Sequence, residues 1–360
     1  MKTLLFTLEY PPFHGGVANY YGGLVKYWPE AGEIQVLNNN RGELLNNLPL
    51  GWLKAIVKLR QVIKTEKINH VLVGQILPLG TATLICSKFC KIKYSVFLHG
   101  LDFTYAAKLS KKKFISSLIL TGAEKIICAN NYVAKIASQK FPKIEHKIIV
   151  VNPGVENLVG HNPQLITQLK AKYNLNNKIV LLSVGRLIRR KGFGKVIKAM
   201  PKIFKSAPNL VYFIIGDGPE IEKWKMKIKN FGLEKNVKII NQATDEERDS
   251  WYGASDIFIM PARNINGDFE GFGIVYLEAN LAGKPVIAGR SGGVEDAVID
   301  GLNGLLVDPE NLEQIASAVI KLANNPELRK KLGEQGRERA IKNFNWQKQA
   351  EKIYKIIKPL

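Results

Sequence analysis

The sequence predicts an α/β chain with two Rossmann-like domains, each built on a doubly wound parallel sheet. Three observations lead there. Short apolar runs rich in Val, Ile and Leu recur along the 360 residues and fall into two series. Amphipathic segments of helical length separate most of them, as parallel strands joined by crossover helices require. Between the series, Asn152-Pro-Gly-Val155 opens a polar stretch that runs to Asn177, and Pro beside Gly marks a boundary turn.

Taken in order, the first series predicts strands over Thr3–Leu8, Ile34–Leu37, His70–Gly74, Tyr94–Leu98, Lys125–Cys128 and Lys147–Val151. The second predicts Ile179–Val184, Leu210–Ile215, Val237–Ile240, Ile257–Met260, Pro285–Ala288 and Gly304–Val307. The expected domains are 1–152 and 153–340, with a terminal helix within 341–360 that includes Asn345-Trp-Gln. Two such domains facing each other leave a cleft at the carboxyl ends of their strands, where ligands bind.

Composition narrows the class. With 46% apolar and 23% charged residues the chain reads as a soluble globular protein. No signal-peptide pattern follows Met1, and the apolar run Val71 to Cys86 is broken by Gln75 and Pro78. The three cysteines, Cys86, Cys90 and Cys128, form no Cys-x-x-Cys pair. They read as thiols of a reducing compartment, so the cytoplasm is expected. A net charge of +21 suits a nucleic acid, an anionic membrane or a polyanionic substrate, or a lysine-rich surface without a partner. No nucleic-acid module accompanies the basic residues, so a nucleic-acid partner is not expected. Trp52 to Lys64 and Lys108 to Ile119 combine apolar and cationic positions at helical spacing. Such helices suit an anionic lipid surface, and equally the solvent face of any α/β domain.

The densest chemistry lies in Glu270-Gly-Phe-Gly-Ile-Val-Tyr-Leu-Glu278. Two glycines so close do not belong inside a helix or strand. Ile274 to Leu281 reads as a buried helix whose first-turn N–H groups and dipole form an anion site. An anion flanked by carboxylates suits a ligand with phosphates and many hydroxyls, since carboxylates accept strongly from hydroxyls. The plain alternative is an acidic residue at a helix start and a second acid on its outer face.

Other candidates follow strands. Val184 leads into Gly185-Arg186-Leu-Ile-Arg-Arg-Lys191-Gly192. Arg186 and Lys191 suit a diphosphate, one as a fork and one as a point charge, while Arg189 and Arg190 are read as pointing to solvent. Glu9-Tyr-Pro-Pro-Phe-His-Gly15-Gly16 ends the first strand, with Gly15 and Gly16 admitting a ligand to the backbone or forming a tight turn; His14 is left out of the catalytic set. His99-Gly-Leu-Asp102 and Asn130 follow two more strands, and Gly216-Asp-Gly-Pro219 another.

With Ser255-Asp-Ile-Phe-Ile-Met-Pro-Ala-Arg263 before it and Gly283-Lys-Pro-Val-Ile-Ala-Gly-Arg-Ser-Gly-Gly293 after it, the Glu-x7-Glu block resembles the retaining glycosyltransferases of family GT4. These have the GT-B fold, and the wording is most similar to the phosphatidylinositol mannoside mannosyltransferases that use GDP-mannose. The resemblance implies an acceptor-binding first domain, a nucleotide-sugar-binding second domain and a terminal helix returning to the first. It implies catalytic roles for Glu270, Arg186, Lys191 and His99. Glu278 would hold ribose hydroxyls, Glu270 the sugar's hydroxyls, and Gly271, Phe272, Gly273 and Ile274 would present backbone to sugar and phosphate. Gly15, Gly16, Gly185 and Gly216 would border the donor, with Glu9, Asp102 and Asn130 toward the acceptor.

No Asp-x-Asp metal motif is present, so no obligatory metal or cofactor is expected. Charges on Arg186 and Lys191 would stabilise the departing diphosphate instead. With Glu270 assigned to hydroxyls, a front-face transfer is preferred to a covalent intermediate. The expected partners are a nucleotide sugar, a lipid or glycan acceptor, and the inner face of the plasma membrane, where the enzyme would sit peripherally. A UDP-sugar enzyme of lipopolysaccharide or exopolysaccharide assembly, or a sugar-nucleotide-binding protein without catalysis, remain the alternatives.

Overall fold

Strand-forming runs that are buried on both faces can only sit in a covered parallel sheet, and that is how this chain uses them. The computed structural model describes residues 1–13, 15–45, 51–100, 103, 110–156 and 162–358. It divides into two units, Met1–Gly154 with Trp346–Leu360, and Val155–Asn345.

The first unit holds β1 (Thr3–Phe6), β2 (Ile34–Leu37), β3 (His70–Val73), β4 (Lys93–Leu98), β5 (Ile126–Cys128) and β6 (Ile148–Val150). All pair in parallel, in the order β2-β1-β3-β4-β5-β6. β1 therefore lies between β2 and β3, and the strand order reverses there. The helix Trp346–Ile357 belongs to this unit. Trp346 stacks edge-on to Tyr20 at 5.4 Å, and Ile353 and Ile357 join a core with Leu5, Leu24 and Phe97. Tyr354 Oη donates to Glu30 at 2.7 Å, and Lys352 Nζ donates to the Val150 carbonyl at 2.7 Å.

The second unit holds β7 (Ile179–Val184), β8 (Leu210–Ile215), β9 (Val237–Ile240), β10 (Ile257–Met260), β11 (Val286–Gly289) and β12 (Gly304–Val307). Its parallel order is β12-β11-β10-β7-β8-β9. The order reverses between β7 and β10, which makes the loops after those two strands the expected ligand platform. The doubly wound α/β reading thus holds in both units. Several ends differ by one or two residues: β1 stops at Phe6, not Leu8, because Thr7 turns its side chain onto the Glu9 carbonyl and Gln75.

Candidate active site

The loop after β7 is shaped by a plug and a glycine. Leu187 is fully buried and its N–H bonds to the Asp217 carbonyl at 2.7 Å, drawing the loop under the turn after β8. Gly185 N–H meets the Ile215 carbonyl and Gly216 N–H the Ile240 carbonyl, so both lie at adjacent strand ends. A single 3₁₀ turn, Arg189–Lys191, follows and closes at Gly192, whose φ of 79° is left-handed. A Cβ at Gly192 would overlap the Pro261 carbonyl, so only glycine brings the turn this near the loop after β10. Arg263 clamps the turn from that loop, donating from its N–H to the Arg190 carbonyl at 2.9 Å and from Nε to the Arg189 carbonyl at 3.2 Å.

This clamp turns two cations onto one carboxylate. Lys191 Nζ and Arg190 Nη1 each lie 2.7 Å from Glu270 Oε2, and Arg190 Nε lies 2.9 Å from Asp268 Oδ1. Glu270 is only 8% exposed. Burial alone would raise its carboxyl, but the charges of Lys191 and Arg190, with their hydrogen bonds, outweigh burial and hold it below the ordinary carboxylate range.

Arg190 is the correction to the sequence reading, which sent it to solvent with Arg189. Arg189 is exposed, whereas Arg190 is largely covered and bonded to Glu270. Arg186 is exposed and lies outside this cluster.

The helix Ile274–Leu281 starts at Gly273, with φ 82° and no side-chain cap. Its buried face carries Tyr276, Leu277, Ala279, Asn280 and Leu281, as the sequence predicts. Tyr276 Oη donates to the Met260 carbonyl at 2.6 Å, fixing the helix start beside β10. Phe272 is buried against Phe344, so its part toward a ligand falls to its backbone. The Gly293 N–H bonds to the Glu270 carbonyl at 3.0 Å, which puts Ser291-Gly-Gly293 against the back of the same loop. One turn into the helix, Glu278 accepts from Tyr252 Oη at 2.6 Å. Burial raises the Glu278 carboxyl, against the Tyr252 hydrogen bond and the charge of Arg248. The two carboxylates are thus driven apart, Glu270 toward permanent charge and Glu278 toward protonation.

In the first unit, Gly15 is extended and Gly16 opens the helix Gly16–Lys26, again without a side-chain cap. The Glu9 carboxylate lies beside Gly15, and burial pushes it up. His99 sits among the rings of Tyr20, Tyr21 and Phe97. Tyr21 Oη donates to the Gly74 carbonyl at 2.6 Å, so His99 Nε2, 2.8 Å from that oxygen, must carry the proton it donates there. Burial lowers the His99 pKa to about 4, keeping the ring neutral. Asn130 is buried and caps the helix Asn131–Lys140, its Oδ1 accepting from Val133 N–H at 2.8 Å. His14 and Asp102 lie outside the described residues. Among the described residues, no cluster of three or more His, Cys, Asp or Glu is placed to hold a metal ion.

Residues 166–339, all within the second unit, match the family described as glycosyl transferases group 1. The chain carries a group 1 glycosyl transferase domain. Its relatives extend over both units. A GDP-mannose-dependent alpha-(1-6)-phosphatidylinositol monomannoside mannosyltransferase of Mycolicibacterium smegmatis is 26% identical, over 98% of this chain and 97% of that one. An uncharacterized glycosyltransferase of Methanocaldococcus jannaschii is 28% identical, over 100% and 99%. Among solved structures, Anabaena HepE in complex with UDP shares the fold with a TM-score of 0.81 and 19% identity, over 99% of each chain. The protein is a glycosyltransferase with the GT-B fold.

Proposed function

We propose that this glycosyltransferase moves mannose from GDP-mannose to a lipid-linked or glycan acceptor, with retention and without an obligatory metal. One observation carries the reading: an ionised, buried Glu270 held by Lys191 beside the uncapped helix start at Gly273. The helix start offers N–H groups to phosphate. Glu270 Oε2 is occupied by two cations, which leaves Oε1 to accept from sugar hydroxyls and makes the carboxylate a poor nucleophile. That charge state favours a front-face transfer in which the leaving phosphate takes the acceptor's proton. Lys191 and the exposed Arg186 stabilise the negative charge that develops on the diphosphate. Glu278, oriented by Tyr252, holds the ribose hydroxyls. Backbone of Gly271 to Ile274, and of Gly185 and Gly216, completes the donor side. In the first unit Glu9 is assigned to the acceptor, His99 to the transferred sugar, and the backbone of Gly15 and Gly16 to the donor's border, while Asn130 acts through the helix it caps.

GDP-mannose is supported by the mannosyltransferase relatives that match nearly the whole chain. The specific observation for a UDP-sugar instead is the likeness to HepE bound to UDP and to UDP-glucose. Turnover and thermal shift with GDP-, UDP- and ADP-sugars, with and without EDTA, decide between them. Turnover of GDP-mannose unaffected by EDTA supports the proposal. A UDP-sugar preference overturns the donor, and a trapped glycosyl–enzyme adduct overturns the front-face step.

On this proposal the acceptor lies at the cytoplasmic membrane face, which the enzyme meets peripherally. Among the described residues no helix is long and apolar enough to cross a membrane. The helix Ser110–Gly122 instead turns Phe114 and Leu118 outward, 65% and 48% exposed, beside Lys111 and Lys113. The helix Leu53–Thr65 does the same with Leu53 and Val57 beside Lys54.

A further inference from the structure

Two cations on one carboxylate oxygen are more than charge balance at Glu270 requires, and they are not equally free. Arg190 is fixed three ways. Its Nη1 meets Glu270, its Nε meets Asp268, and its backbone carbonyl is held by Arg263 N–H at 2.9 Å. Swinging the guanidinium away would break its hydrogen bond to Glu270 and its ion pair with Asp268, the second a charge contact without hydrogen-bond geometry. Lys191 has its ammonium on a flexible four-carbon stem, and Glu270 is its ion-pair partner at 2.7 Å. A diphosphate arriving beside the turn therefore draws off Lys191 and not Arg190. Were Arg190 absent, that shift would strand a carboxylate that is 8% exposed without a counter-charge.

We propose that Arg190 is a positioning residue, which keeps Glu270 ionised and aimed while Lys191 turns to the donor's diphosphate. This rests on the reading of Lys191 as a diphosphate ligand. The groups facing Glu270 are Arg190 and Lys191 from the turn after β7 and Tyr276 from the following helix, with Asp268 acting through Arg190. The Ser291-Gly-Gly293 side offers a backbone N–H to the Glu270 carbonyl. Tyr276 is held far above its usual range, chiefly by burial, and stays neutral. With Lys191 turned to the diphosphate and Arg190 removed, burial alone would act on the Glu270 carboxyl and push it toward protonation.

The test compares Arg190→Gln, Arg190→Lys and Lys191→Gln in the full-length enzyme. It reads kcat and KM for the donor that wild type turns over, the pH profile of kcat, and the Kd of the matching free nucleoside diphosphate. For Arg190→Gln, kcat at neutral pH is expected to fall roughly tenfold or more, with the diphosphate Kd changed less than about threefold. The acid limb of kcat should move up by about one pH unit, because Glu270 must be ionised to accept from the sugar. Arg190→Lys, which restores the charge and preserves folding should the Gln variant be unstable, should return the acid limb most of the way. Unchanged kcat and acid limb in Arg190→Gln overturn the proposal. So does a loss of diphosphate affinity as large as that in Lys191→Gln, which would make Arg190 a ligand itself. Failure of the underlying reading shows separately: Lys191→Gln would then leave the diphosphate Kd unchanged.

Discussion

Tyr252 and Glu278 are linked by a 2.6 Å hydrogen bond between helices, from a fully buried phenol to the second carboxylate of the Glu-x7-Glu block. A donor held in the core aims the carboxylate from behind and leaves its other oxygen for a ligand. The contact spans 26 positions of sequence, so it exists only once Asp245–Ala254 has packed beside Ile274–Leu281. Tyr252→Phe should therefore weaken nucleoside-diphosphate binding, by at most about tenfold, because the aiming bond contributes about 0.5–1.5 kcal/mol to a carboxyl that burial pushes toward protonation. Titration calorimetry on the folded variant checks it. Unchanged affinity would mean that Glu278 is structural.

Acid should destabilise the first unit through two buried histidines. Burial lowers both His70 and His99 from 6.5 to about 4. The unfolded chain takes up these protons as pH falls through 6.5, whereas the folded chain refuses them until about 4. Folding thus loses free energy across that window, by an order of a few kcal/mol for the pair. His70 bonds to Ser95 Oγ at 3.0 Å, and His70→Gln keeps a polar partner there without the titration. Its melting temperature should fall less than that of wild type between pH 7 and pH 5. Parallel melting curves would sink the idea.

Gly273→Ala tests the geometry of the helix start. At φ 82° an L-residue is strained, and the added Cβ would collide with the Tyr276 ring. Gly32 has a nearly equal φ of 84° with nothing within 4 Å, so Gly32→Ala carries the backbone strain alone. That strain costs about 1–2 kcal/mol. Gly273→Ala should cost clearly more in urea unfolding and should remove activity by displacing the first-turn N–H groups. Equal unfolding free energies for the two variants would show that Tyr276 yields without cost.

Much of this was legible because local pattern and tertiary role agree. Ile179–Val184 is apolar on both faces and could only be a covered strand. Ile274–Leu281 begins where its glycines say it must. The side-chain directions were not legible. In a 3₁₀ turn successive residues point about 120° apart, so Arg189 and Arg190 cannot share one direction. Which of them faces inward depends on where Leu187 anchors the loop and where Gly192 ends it. Asn130 carried a readable signal, an Asn between a strand and a helix. Its Oδ1 accepts from Val133 N–H, a capping role that engages the side chain within its own helix.

The outward apolar residues of Ser110–Gly122 make a prediction about lipid. This helix buries Ser116, Ile119 and Leu120 against its own unit, so Phe114 and Leu118 add nothing to that core. Exposed to water they are unfavourable, at about 25 cal/mol per Å² of apolar surface. Placed in the headgroup region they would be covered, while Lys111 and Lys113 each add about 1 kcal/mol of attraction to anionic lipid. Co-sedimentation with phosphatidylglycerol-containing vesicles should therefore exceed that with phosphatidylcholine vesicles and weaken with salt. Phe114→Ser with Leu118→Ser should reduce binding at every salt concentration without lowering the melting temperature. Lys111→Glu with Lys113→Glu should instead abolish the preference for anionic lipid. If the Ser pair leaves binding unchanged while the Glu pair abolishes it, the surface is electrostatic alone and the helix does not insert.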